Sequence, residues 1–181
     1  MSHRIRRAPK SFALVALLAF TQTFAAAGPP AAAAPQANFS LRSLDGATVS
    51  AASMRGKVIV LVVGALFVPP LSRSQVQGIQ KLADKYNNRD VEVFWVSTDS
   101  ESPKSKNYAS DQQLRDFVAR YDKVKVLRDP DGQTSKQLGA DQVPALIVLD
   151  RQGNISGAPT GGLDTKGNFA EELESRLAKL L

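Results

Sequence analysis

The chain has 181 residues, 43% hydrophobic and 22% charged, with a formal charge of +6 and no cysteine. That length and balance fit one globular domain with an N-terminal extension. A chain without cysteine forms no disulfide, has no thiolate nucleophile, ligates no iron–sulfur cluster through sulfur and takes no lipid on sulfur.

Residues 1–27 open with Arg4, Arg6, Arg7 and Lys10, continue with an apolar run of nine residues from Phe12 to Phe20, and end in Ala25-Ala26-Ala27. This is the pattern of a secretory signal peptide, cleaved after Ala27. The run is far shorter than the roughly 20 residues a membrane-spanning helix needs. The Arg6-Arg7 pair raises a twin-arginine route, against which Ala8-Pro9 replace the usual apolar consensus. Export to the periplasm or the extracellular space is therefore expected. Four of the 23 basic residues and none of the 17 acidic ones lie in this segment, so the remainder carries 19 against 17. Without a basic stripe there is no footprint for nucleic acid.

Residues 28–37, rich in Pro and Ala, read as a spacer, with the domain spanning 38–181. From Asn38 to Lys57 apolar and polar residues alternate around Asp45-Gly46, a hairpin signal. Val58 to Val63 is an unbroken, mostly β-branched run that suits a strand covered on both faces. After Gly64 and Ala65 come Leu66, Phe67, Val68, Pro69, Pro70 and Leu71. Val76, Ile79, Leu82, Ala83 and Tyr86 then recur at helical spacing, and Pro70 suits a first helical turn. Val91 to Val96 reads as a second buried strand, with Trp95 in the core. Ser97 to Ser110 is polar, holds Pro103 and reads as an exposed loop at a sheet end.

Ser110 and Gln113 form a capping box for a helix bearing Leu114, Phe117, Val118 and Tyr121. A short strand at Val124–Leu127, a turn at Asp129-Pro130-Asp131-Gly132 and a short helix at Thr134–Leu138 follow. Pro144 precedes a strand at Ala145–Leu149, and Asp150–Gly153 is a hairpin turn. The last helix carries Phe169, Leu173, Leu177 and Leu180 on one face, with Glu171 and Glu172 early and Lys179 late, in agreement with its dipole.

The strand, proline-paired turn and helix at Lys57–Tyr86 resemble the thioredoxin-like superfamily, in its TlpA-like and AhpC/TSA redoxin branch. The resemblance covers about Asn38 to Leu181 and implies an α/β fold, with a central mixed sheet flanked by helices and an N-terminal hairpin. That family carries Trp-Cys-Pro-Pro-Cys where this chain has Phe67-Val68-Pro69-Pro70-Leu71. Phe67 thus stands at the tryptophan position, Val68 at the exposed nucleophilic cysteine and Leu71 at the resolving cysteine, expected to face the core. The resemblance also makes Val143-Pro144 a cis peptide lying against the turn. It implies thiol-disulfide exchange or peroxide reduction, for which no residue remains.

The single histidine, His3, falls in the signal peptide, so the mature chain has none. Ser-His-Asp triads, Cys-His pairs and the common zinc sites are excluded. Asp129-x-Asp131-Gly132 lacks the further ligands of a calcium loop and reads as turn chemistry. Glu92 is either a buried, tuned carboxylate or a solvated strand end. No phosphate-binding glycine motif occurs, and neither a cofactor nor a metal is expected. The candidate site is the turn itself: Phe67, Val68, Pro69, Pro70 and Leu71 beside Val143 and Pro144. Its expected occupant is an unidentified protein or extended peptide, gripped by apolar surface instead of thiol chemistry. A structural subunit of an extracytoplasmic assembly is the other non-enzymatic reading.

Overall fold

The computed structural model describes residues 35–69, 71–86, 89–161 and 169–181. The segment read as a signal peptide, most of the stretch 28–37 read as a spacer, Pro70 and the side chains of Phe169, Glu171 and Glu172 lie outside the described residues. The strands are β1 (Ser40–Ser43), β2 (Thr48–Ser50), β3 (Val58–Gly64), β4 (Val91–Ser97), β5 (Lys125–Arg128), β6 (Ala145–Leu149) and β7 (Thr160–Gly161). The helices are α1 (Leu71–Tyr86), α2 (Asp111–Val118), α3 (Gln133–Gln137) and α4 (Phe169–Ala178). No helix among the described residues is long and apolar enough to cross a membrane.

The sheet runs in the order β2-β1-β5-β4-β3-β6-β7, with β3 paired parallel to β4 and antiparallel to β6. Every residue of β3 is buried because helices and loops cover both faces of the sheet, which is why its sequence does not alternate. Val58, Val60 and Val62 point to a face shared with Val76 and Ile79 of α1, Leu114 of α2 and Leu173 and Leu177 of α4. Ile59, Leu61 and Val63 point to the other face, where Phe39, Leu41 and Leu138 meet them. The period of two along the strand thus feeds two separate cores.

Local signals act as anticipated at the hairpin and at the capping box, and a third local device appears at Asp129, which the sequence reads only as part of a turn. At the β1–β2 hairpin the Asp45 carboxylate accepts bonds from the Ser43 hydroxyl and the Ala47 amide, and Gly46 takes φ 87°, where a side chain would be strained. At α2 the capping box forms in both directions, Gln113 N to Ser110 Oγ at 3.2 Å and Ser110 N to Gln113 Oε1 at 2.8 Å. Asp129 lies before α3 and spends its carboxylate on the Thr134 and Ser135 amides and the Ser135 hydroxyl, so it caps that helix.

The packed chain starts earlier than Asn38. Ala37 is buried, its amide donates to Gly153 O at 2.9 Å, and Pro35 O accepts from Ile155 N at 2.9 Å. This backbone pairing beyond the sheet has no composition signal in an Ala/Pro-rich stretch. Glu92 sits at the start of β4, with Lys57 Nζ at 2.7 Å and Lys125 Nζ at 2.5 Å. That is the end of the sheet opposite the turn, so Glu92 clasps three strand beginnings and stands apart from the candidate site.

Candidate functional site

The site is built where β3 ends. Gly64 closes the strand because its α-carbon faces the buried Gln75 and Trp95 side chains: a β-carbon there would overlap Gln75 Oε1 and Trp95 Nε1. Those two atoms share a hydrogen bond of 3.3 Å, and Gln75 Nε2 donates to Val63 O at 3.3 Å. A polar core residue of α1 therefore ties helix, central strand and Trp95 together directly under the turn. Gln75 lies four residues before Ile79, on the helix face that packs on the sheet, and that position is the signal that would have found it.

Beyond Gly64 the chain leaves the sheet. Val68 N donates to Ala65 O at 3.3 Å, and Ser72 N donates to Val68 O at 3.1 Å, carrying the turn into α1. Phe67 is 52% exposed and Val68 38% exposed, and Pro69 is exposed as well. Leu71 differs from expectation. It is only half-buried, and the fully enclosed position falls to Ser72, 1% exposed, because the helix starts with Leu71 at the rim.

The antiparallel register pairs Val63 with Ala145. Val143 and Pro144 come immediately before β6, at the end of the sheet where β3 stops at Gly64. The Val143-Pro144 peptide is cis, as the resemblance implies. Val143 is 43% exposed and makes no backbone hydrogen bond among the described residues. Four large apolar side chains are exposed among the described residues, and Phe67, Val68 and Val143 are three of them; the fourth is Leu181, the last residue. Pro69 is exposed and Pro144 partly exposed, and Pro70 lies outside the described residues.

A second set of residues was hidden in the segment read as an exposed loop. Ser97, Thr98, Asp99 and Ser100 are buried, as is Ala109, and exposure is confined to residues between them. The parallel register pairs Gly64 with Ser97, which brings Asp99 level with Leu66. Both carboxylate oxygens of Asp99 accept from Leu66 N, at 2.9 and 3.1 Å, and Oδ2 also accepts from Ser97 Oγ at 2.8 Å. Burial pushes the Asp99 carboxyl above its ordinary value, and the bonds from Leu66 and Ser97 and the charge of Arg128 offset this only in part. Arg128, also buried, donates to Ser97 Oγ at 3.3 Å and to Ala109 O at 3.0 Å. An acidic residue two positions past a buried strand, at the sheet end that bears the turn, was the available signal.

Chemically, the turn offers exposed apolar surface and a buried carboxylate bonded to its backbone, and nearby Val143 has a backbone without a hydrogen-bond partner among the described residues. Nothing on it can attack a disulfide or a peroxide. Among the described residues no group of His, Cys, Asp or Glu could hold a metal ion.

The redoxin family model matches residues 29–175. The chain belongs to the redoxin family. Solved structures agree on the fold of this redoxin. A protein of Chlorobium tepidum with the assignment thiol:disulfide interchange protein DsbE is 23% identical, with a TM-score of 0.66 over 81% of this chain and 96% of that one. A thioredoxin-like protein from Aeropyrum pernix is 20% identical, with a TM-score of 0.61 over 78% and 89%. The pneumococcal exposed lipoprotein thioredoxin of Streptococcus pneumoniae is 21% identical, with a TM-score of 0.59 over 78% and 99%. No curated protein matches the sequence. The redoxin thus has a thioredoxin-like fold, a mixed sheet flanked by helices, and no cysteine anywhere in its chain.

Proposed function

We propose that this redoxin acts by binding, holding an extended peptide or protein segment against Phe67, Val68, Pro69, Val143 and Pro144. The observation that carries the reading is that two of the four exposed large apolar side chains among the described residues, Phe67 and Val68, stand on the one turn that has no thiol chemistry to perform, and a third, Val143, stands just before the strand that pairs with β3. Magnitudes set its strength. Burying a Phe or Val contributes about 1.5 to 3 kcal/mol, whereas association costs roughly 4 to 15 kcal/mol. The side chains alone make a weak site, so pairing of the partner's backbone with Val143 has to add to them. The protein does this work outside the cytoplasm, a reading supported by the basic, apolar and small-residue succession of residues 1–27. N-terminal sequencing of protein recovered from the envelope should begin at Gly28.

The test uses reduced, carboxymethylated α-lactalbumin as an extended polypeptide probe. Binding should saturate, and the pair Phe67→Ser and Val68→Ser should weaken it by about tenfold or more, whereas Gln152→Ser, an exposed change on the hairpin turn after β6, should leave it unchanged. Binding that ignores the Phe67 and Val68 changes rejects the site. A complex of fixed stoichiometry recovered from the native envelope, with no binding of the probe, would support a structural subunit instead.

A further inference from the structure

We infer that Asp99 is the positioning residue of this surface: its ionised carboxylate clamps the Leu66 amide and thereby sets where Phe67 and Val68 stand. The inference rests on the turn being the docking surface, but the clamp itself is visible without any ligand.

The geometry has three parts. Asp99 is fully buried, and both of its oxygens converge on one N–H of the turn, an arrangement that the ionised carboxylate, an acceptor at both oxygens, satisfies most fully. Leu66 is the residue directly before Phe67, so the clamp acts one peptide from the exposed side chains. The Ser97 hydroxyl completes the fixing, donating to Asp99 Oδ2 while accepting from Arg128 Nη1. The carboxylate is thus held from β4 and β5 and in turn holds the loop that leaves β3. Protonation would place a hydrogen on one oxygen, and the amide of Leu66 would lose part of its acceptor.

The charged groups around Asp99 are few. Residues 58–69, which form β3 and the turn, contain no titratable side chain. From β5 comes Arg128, whose Nε lies 3.3 Å from Glu101 Oε1 and 3.6 Å from Asp111 Oδ1. Arg42 of β1 pairs with both of those carboxylates at 2.7 Å. Asp129 turns its carboxylate away, onto Thr134 and Ser135. Among the described residues no second acid shares the Asp99 site.

The pH behaviour follows with a definite sign. Because the folded protein holds the Asp99 pKa above its unfolded value, acid protonates Asp99 in the folded state first. Between the ordinary carboxylate value and the raised one, falling pH loosens the turn while this group makes the fold no less stable. A merely structural carboxylate would not separate the two.

Nuclear magnetic resonance of the isotope-labelled protein tests this. The Leu66 amide shift should titrate with a midpoint above the ordinary aspartate value. Asp99→Asn should abolish that titration and speed exchange of the Leu66 amide roughly tenfold or more, with the Val60 amide in mid-strand unchanged. Ser97→Ala removes a donor to the charged form and should move the midpoint higher still. A Leu66 amide that stays flat through acid overturns the inference, as does a folded Asp99→Asn protein whose Leu66 amide exchanges and titrates as before. If Asp99→Asn does not fold, the wild-type titration and its displacement by Ser97→Ala decide. None of these readouts needs a ligand, so a clamp that is absent and a surface that binds nothing give different results.

Discussion

Gly64 shows how a single missing atom shapes the site. Gly64→Ala would drive a methyl group into the Gln75–Trp95 hydrogen bond, and the indole cannot yield because Trp95 is fully enclosed. We expect a loss of about 1 to 3 kcal/mol, read as a lower denaturation midpoint with an unchanged slope. Phe67→Ser has the opposite profile: its side chain is half in water, so stability should move by less than about 0.5 kcal/mol while probe binding falls. Glu92 adds a pH signature at the far end of the sheet. Burial pushes its carboxyl up, but the hydrogen bonds from Lys125 and Lys57 outweigh this and hold it below the ordinary value. A depressed folded pKa contributes stability that is present above the unfolded value and lost as pH falls through the folded one. Both lysines are exposed enough for water to screen them, so Glu92→Gln should cost only about 0.5 to 1 kcal/mol at neutral pH. That difference should vanish in acid, which urea titrations of both proteins at neutral and acid pH would show.

At the scale of elements, the join between β3 and α1 is the feature that places Val68 and Leu71 one turn apart at the start of a helix. Replacing both by cysteine should let a disulfide close without large backbone movement. Val68→Cys should be tolerated, since the residue is exposed. Leu71→Cys should cost about 1 kcal/mol, less than a core position, because the side chain is half-buried. The outer thiol, near a helix N-terminus, should react faster than free cysteine, as alkylation against pH would reveal. Two thiols that never pair in a folded double variant would mean that the turn does not have the active-site geometry of its family. The capping box at α2 is a local device of the same kind: Ser110→Ala should cost about 1 kcal/mol, seen as a lower midpoint in urea.

At the scale of the molecule, a redoxin without sulfur nucleophiles should neither reduce insulin disulfides nor consume peroxide, and reproducible turnover by purified protein would refute that. The absence of thiols is a property of composition, legible before any fold. The strand at Val58–Val63, the helix after it and the two prolines were also legible, because hydrophobic period and proline chemistry act within a few residues of chain. The pairing of Phe67 and Val68 with Val143 is what the family resemblance implies, and the register of β3 against β6 was what only the fold could supply. What sequence did not disclose was the interior of the site. Asp99, Ser97, Arg128 and Gln75 look like ordinary polar residues in a loop, a strand end and a helix, and the Ser97–Ser110 stretch reads as solvent-exposed. Burial and hydrogen bonding are long-range quantities: Asp99 meets Leu66 across 33 residues and Gln75 meets Trp95 across 20. The chain by itself determined which chemistry is impossible and which strand is central. Only the tertiary structure decided which polar groups are taken out of water, because that depends on what the parallel register of β3 and β4 stacks above them.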